Sequence, residues 1–391
     1  MLFSPDHHEP LTGRRWGEAS VRDRIELIAG DAEAAVGADG LWAEHPDDHD
    51  DDSALPRTLY MGAAGMVWGL HALGRDRPDL VGGLHAGYLC EPDWPGVSPG
   101  YWPGEAGILL VQQLVDPHGA DLDALEAVIR ANAGNESNEQ MWGAPGTMFA
   151  ALAMHRMDGD ERWAAAWRDS ADQLWQRWLP DEDVGERFWT QLLYGQTARY
   201  VGPGHGFAGN VLALWQGREL LAADQVAELE QRVPAIAAGL AVRADGLANW
   251  PPLVGDGLVH NDRIRTQWCH GAPGMVASLS GIAVDDDDLT DLLVAGGELV
   301  WQAGPLRHGQ GLCHGTSGNG LALLALLERT GDERWLERAR AFAVHALEQV
   351  ERERAEHGAG RYSLWTGDIG AAVMAQSCID ARPGMPTLDW V

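Results

Sequence analysis

Two kinds of apolar pattern alternate along this chain. In the first, segments such as "MVWGLHAL" (66–73), "ILLVQQL" (108–114), "TMFAALAM" (147–154), "NVLALWQ" (210–216) and "NGLALLALL" (319–327) are apolar on nearly every side and rich in Ala, Leu and Met. Runs of that composition predict buried helices rather than strands. The second kind is longer and charged: "DLDALEAVIRAN" (121–132), "ERWAAAWRDSADQLWQRWL" (161–179), "ADQVAELEQRVPAIAAGLA" (223–241) and "ERWLERARAFAVHALEQVERERAEH" (333–357). Apolar residues recur there at three- and four-residue spacing, which predicts helices with one wet face. Trp163, Trp167, Trp175 and Trp178 follow that spacing and read as core.

A Gly-x-x-Gly turn marks the start of each buried run, at Gly62–Gly65, Gly104–Gly107, Gly143–Gly146, Gly206–Gly209, Gly271–Gly274, Gly315–Gly318 and Gly367–Gly370. One such turn is weak evidence, because glycine marks any tight bend. Seven in register predict an all-α chain: a closed α/α toroid of seven repeats, two helical layers deep, formed by residues 1–391 as a single domain. The glycines allow close approach where the inner helices begin. They also leave seven helix N-termini pointing to a common rim, where negative charge is favoured.

The residues just before each first glycine separate structure from chemistry. They read Tyr60-Met61, Trp102-Pro103, Met141-Trp142, Gly204-His205, Cys269-His270, Cys313-His314 and Trp365-Thr366. Four joints do without His or Cys, so the joint itself requires neither. The fourth, fifth and sixth concentrate these groups on three consecutive spokes. Two thiols and an imidazole suit Zn²⁺, which favours tetrahedral S/N ligation and keeps a position open when catalytic. Cys269, Cys313 and His314 are the candidate ligands. Cys90 and Cys378 stand outside the repeat phase and read as buried small apolar residues.

Composition narrows the setting. A formal net charge of −30, with 28 basic residues that are all arginine, argues against a nucleic-acid partner. The Asp-rich tract 44–53 reads as a solvated loop. Four cysteines in 391 residues do not make a disulfide framework. No apolar run suffices for a membrane span, and the first residues lack a signal-peptide pattern, so a cytoplasmic location is expected.

"WCHGAPG" (268–274), "GLCHGTSGN" (311–319), "GPGHGFAGN" (202–210) and the seven glycine turns together resemble the lanthionine synthetase C-like family, from about Leu59 to Met374. The resemblance implies one zinc held by Cys269, Cys313 and His314. It also implies addition of a thiol to dehydroalanine or dehydrobutyrine in a peptide, forming a thioether. Such an addition passes through an enolate that needs electrostatic stabilisation and then a proton. The resemblance assigns the proton to His205 and places an acidic residue at Glu139 and an arginine at Arg265. His270 follows the first zinc cysteine, as in the stand-alone eukaryotic relatives. Those relatives carry a glutathione-binding lysine where this chain has His308 beside Arg307, a departure that puts glutathione in doubt. The partners implied are a dehydrated peptide or protein, a thiol, and a separate dehydratase that prepares the substrate.

Two other readings stand beside this one. A carbohydrate-processing toroid would use paired carboxylates, here Glu105 and Asp368, each directly after a repeat's first glycine. A non-catalytic zinc protein would only bind thiols or peptides.

Overall fold

The computed structural model describes residues 2–48, 55–255 and 264–389. Its helices alternate between an outer and an inner layer, as the two apolar patterns predict. The outer helices are α1 (Glu18–Ala34), α3 (Leu84–Cys90), α5 (Leu122–Asn132), α7 (Glu161–Gln176), α9 (Ala223–Leu240), α11 (Asp287–Ala303) and α13 (Arg334–His357). The inner helices are α2 (Ala63–Ala72), α4 (Glu105–Val115), α6 (Ala144–Asp158), α8 (Phe207–Gln216), α10 (Ala272–Leu279), α12 (Thr316–Thr330) and α14 (Asp368–Asp380). Each inner helix packs on the next, and α14 packs back on α2, so the inner ring closes. Helix α1 fills the outer position against α14.

The glycine joints work by close approach of backbone to backbone. At Gly146 a Cβ atom would stand 1.9 Å from the carbonyl oxygen of Gln140, six residues earlier, and at Gly274 it would meet Trp268 in the same way at 1.9 Å. The chain hooks back on itself immediately before every inner helix, and only glycine fits under the hook. Among the seven first glycines, Gly271 alone takes a left-handed φ, +111°.

The hooks are also stitched to one another. Cys269 donates its backbone N–H to the Cys313 carbonyl (3.1 Å), Cys313 to Trp365 (3.0 Å), Trp365 to Tyr60 (3.3 Å) and Tyr60 to Trp102 (3.1 Å). All five residues lie two positions before a first glycine. One arc of backbone hydrogen bonds therefore fixes equivalent positions of five spokes around the centre. Trp102, Trp268 and Trp365 pack with centroids 4.5–5.7 Å apart, and Tyr60 stacks on Trp365. They form an aromatic floor across the bore. From the opposite end the chain's last described residues reach the same floor: Trp102 Nε1 donates to Thr387 Oγ1 at 3.3 Å.

Short strands are an addition to the expected all-helical pattern. Three antiparallel hairpins, β1 (Leu179–Asp181) with β2 (Glu186–Phe188), β3 (Gln191–Leu193) with β4 (Gln196–Ala198), and β5 (Val242–Ala244) with β6 (Leu247–Asn249), occupy the two longest connections between joints. Trp163, Trp167 and Trp178 are fully buried and Trp175 packs against the core, as their spacing predicts. Cys378 is buried as expected, but Cys90, the last residue of the short helix α3, is exposed.

The tract 44–53 is described only as far as Asp48. That part is anchored rather than simply solvated: His45 is buried, and Asp48 pairs with Arg361 at 2.6 Å. Among the described residues no helix is long and apolar enough to cross a membrane.

Candidate metal centre and its cavity

The joint hooks open into a cavity of about 720 Å³ above the aromatic floor. Tyr60, Trp102, Met141, Gly204, Cys269 and Cys313 all line it, so the position two before the first glycine faces the centre in six of the seven joints. At the fourth to sixth joints the following residue, His205, His270 or His314, faces it as well.

Cys269, Cys313 and His314 each offer a ligand atom, and these atoms lie within 4.8 Å of one another. They are the one such cluster of three or more metal-ligating groups among the described residues. Both sulfurs are buried, while His314 is half-buried and borders the open side. A hydrogen bond from Cys313 holds the Cys269 thiol well below its ordinary value, helped by His270 and His314, and Cys313 is pushed up in turn. Both sulfurs also sit just ahead of helix N-termini, those of α10 and α12, where an anionic sulfur is favoured. The donor set is preassembled and soft, and it can hold a metal ion.

On the neighbouring spoke His205 Nδ1 meets Glu139 Oε2 at 3.0 Å. Glu139 is fully buried and also accepts the backbone N–H of Met141 (2.9 Å) and Trp142 (2.7 Å), which fixes its carboxylate. Burial works to lower the His205 pKa, but the Glu139 hydrogen bond and charge, with Cys269, outweigh it and leave it raised. His270 lies with its ring centroid 6.1 Å from that of His205, and burial lowers its pKa. Arg265 is exposed on the cavity wall, and its carbonyl lies under Gly271. The structure thus brings all seven sequence-predicted site residues to one cavity, Glu139 through its bond to His205. Arg307 and His308 line the same cavity, with the His308 ring 4.7 Å from that of His314.

Glu105 and Asp368 are not together and do not line it. Glu105 bonds His85 Nε2 at 2.8 Å, and Asp368 is enclosed by Arg354 and Gln310. Burial raises the Asp368 carboxyl to about 6. The paired-carboxylate reading finds no support in this geometry, because neither group lines the cavity and each is committed to structural partners.

The sequence profile of the lanthionine synthetase C-like proteins matches residues 181–383, just over half of the chain. The chain belongs to that family. Among curated relatives, "Glutathione S-transferase LANCL1" of Danio rerio is 36% identical over 153 residues, 37% of this chain and 34% of the relative. "LanC-like protein GCL1" of Arabidopsis thaliana is 37% identical over 113 residues, 27% of this chain and 25% of the relative. The chain thus spans about a third or less of the length of these relatives. Nisin cyclase superposes with a TM-score of 0.64 at 16% identity, covering 92% of this chain and 94% of the cyclase, which establishes the shared toroid fold.

Sequence reasoning missed several residues of the cavity. Tyr60 and Trp102 occupy the same phase as the two cysteines, and the signal was that phase itself, set aside because their side chains are bulky. Gln267 Nε2 donates to Cys269 Sγ at 3.0 Å. Asp6 and His7 also line the cavity. They are carried there by an N-terminal segment pinned through His8 Nδ1 to the Gly304 carbonyl (2.8 Å) and through Glu9 to His345 Nε2 (2.7 Å). No local motif marks that segment, whose partners lie some three hundred residues away.

Proposed function

We propose that this chain catalyses zinc-dependent addition of a thiol to a dehydroalanine or dehydrobutyrine residue of a peptide, giving a thioether. The observation that carries the reading is that the Cys269–Cys313–His314 cluster and the His205–Glu139 pair open on one cavity. Zinc held by Cys269, Cys313 and His314 would supply an electrophilic centre at which an incoming thiol loses its proton near neutral pH.

The protein's residues account for the rest of the reaction. The thiol sulfur bonds to Cβ, the π pair moves onto Cα and the carbonyl oxygen as an enolate, and Cα then takes a proton. The proton lost by the thiol is balanced by the one gained at carbon. His205 is the donor: Glu139 engages Nδ1, which leaves Nε2 to carry the transferable proton into the cavity. Arg265 is a cation on the wall able to face the enolate oxygen, and His270 is a second imidazole in reach. Tyr60 and Trp102 supply a hydrophobic floor that limits water around the enolate. The substrate must arrive already dehydrated, so a dehydratase activity must act first.

The test is intact-mass detection of the thioether after mixing the zinc-loaded protein with a dehydroalanine peptide and a thiol, either internal to the peptide or free. Glutathione, which gives the Danio rerio relative its name, is one free thiol to include. Multiple turnovers are expected. Stoichiometric thiol capture without product would overturn catalysis in favour of a binding protein.

A further inference from the structure

One sulfur of the candidate metal centre meets a neutral side-chain donor that is neither a ligand nor part of the proton pair. Gln267 Nε2 donates to Cys269 Sγ at 3.0 Å. The donor is held from elsewhere. Gln267 and His270 exchange backbone hydrogen bonds, at 3.1 Å in each direction, across the turn that carries Cys269.

A hydrogen bond to an ionised sulfur is charge-assisted and stronger than a neutral one. Groups that bond to metal ligands orient them and tune their electron density. This matters more here than at an inert structural site. A centre that presents a thiol to an unsaturated amide holds two thiolates of its own beside the same electrophile. The donor on Cys269 lowers the energy of that sulfur's lone pair and weakens it as a nucleophile. A substrate thiol has no such fixed donor.

We infer that Gln267 is a positioning residue of the metal centre: it holds the Cys269 sulfur in place and makes it a poorer nucleophile than the substrate thiol. The inference rests on the metal-dependent reading above, and cobalt(II) separates the two. The wild-type protein should bind cobalt and show a sulfur-to-cobalt charge-transfer band. In Gln267→Leu that band should move to lower energy. Competition with a chelator should show metal held roughly 10–100-fold more weakly. In zinc-loaded protein, iodoacetamide should modify Cys269 faster in Gln267→Leu, with Cys313 unchanged, as mapped by peptide mass spectrometry. Met141→Leu, on the same cavity wall, serves as the control for general loosening and should match wild type in all three measurements. If Gln267→Leu matches wild type in band, affinity and alkylation, the inference is wrong while the metal site stands. If wild type itself gives no sulfur-to-cobalt band, the metal reading falls and takes this one with it.

Discussion

Spokes four to six and spokes seven, one and two are built on the same joint but do opposite things. On both sides the chain hooks under a glycine and presents the residue two places earlier to the centre of the ring. On one side that residue is Gly204, Cys269 or Cys313, each followed by an imidazole; on the other it is Trp365, Tyr60 or Trp102. The backbone supplies the position, and the side chain decides whether the position becomes a ligand or a floor. The two sides are joined, because the hydrogen-bonded arc from Cys269 through Cys313, Trp365 and Tyr60 to Trp102 crosses from one to the other. The aromatic half thereby fixes the sulfur half.

The largest expected effect comes from removing a ligand. Cys313→Ala should lower bound zinc from about one per chain to none and abolish thioether formation. Cys378→Ala should keep the metal: Cys378 is buried on α14, out of phase with the joint, and burial pushes its thiol far up. Elemental analysis of both proteins decides this. Zinc retained in Cys313→Ala would break the assignment of the two sides.

Next in size is the proton donor. His205→Asn should keep zinc and still bind thiol, yet slow addition by about 10²–10⁴-fold, as expected for loss of a general acid. In D₂O its product should also lose stereoselectivity at Cα. A variant as fast and as selective as wild type would move the role to His270.

The joint itself can be broken without touching any ligand. In Gly146→Ala the new Cβ would stand 1.9 Å from the Gln140 carbonyl, so the backbone must shift. A loss of about 1–3 kcal/mol is expected, as for overpacked sites. Gly30→Ala on α1 has nothing within 4 Å of the new methyl and should gain about 0.5–1 kcal/mol. Thermal unfolding of the two variants should move in opposite directions. Equal shifts would show that the glycines mark turns rather than close approach.

What the sequence made legible follows the same division. The helical layers and the ring were readable because each repeat states its own period and its own glycines. Cys269, Cys313, His314 and His205 were readable because they depart from a phase that the other joints leave without His or Cys. Glu139 was reachable only by resemblance, since its bond to His205 joins two different spokes. Tyr60, which lines the cavity, and Gln267, which donates to a sulfur, were not read as part of the site, because each role is defined by a three-dimensional approach and not by residue type. The contribution of Asp6 and His7 depends on a segment whose anchors, Gly304 and His345, come near the far end of the chain.

The smallest expected effect sharpens the role of Glu139. It does not line the cavity, so its influence must pass through His205, whose pKa it raises against the opposing effect of burial. If His205 donates the proton, addition should proceed while the imidazole is protonated and fall as pH rises through its raised value. Glu139→Gln removes the charge and leaves burial as the dominant influence. The alkaline limb of the rate profile should therefore move to lower pH, with the metal content unchanged. Stability should follow the same sign. With a folded value above the ordinary 6.5, protonated His205 adds stability that is fully present below 6.5 and disappears as pH rises through the folded value. That pH-dependent part should vanish in Glu139→Gln. Denaturant unfolding and rate profiles measured on both proteins across this range give the answer. A limb that stays in place would mean that Glu139 only anchors the Met141 and Trp142 backbone, to which it is also bonded.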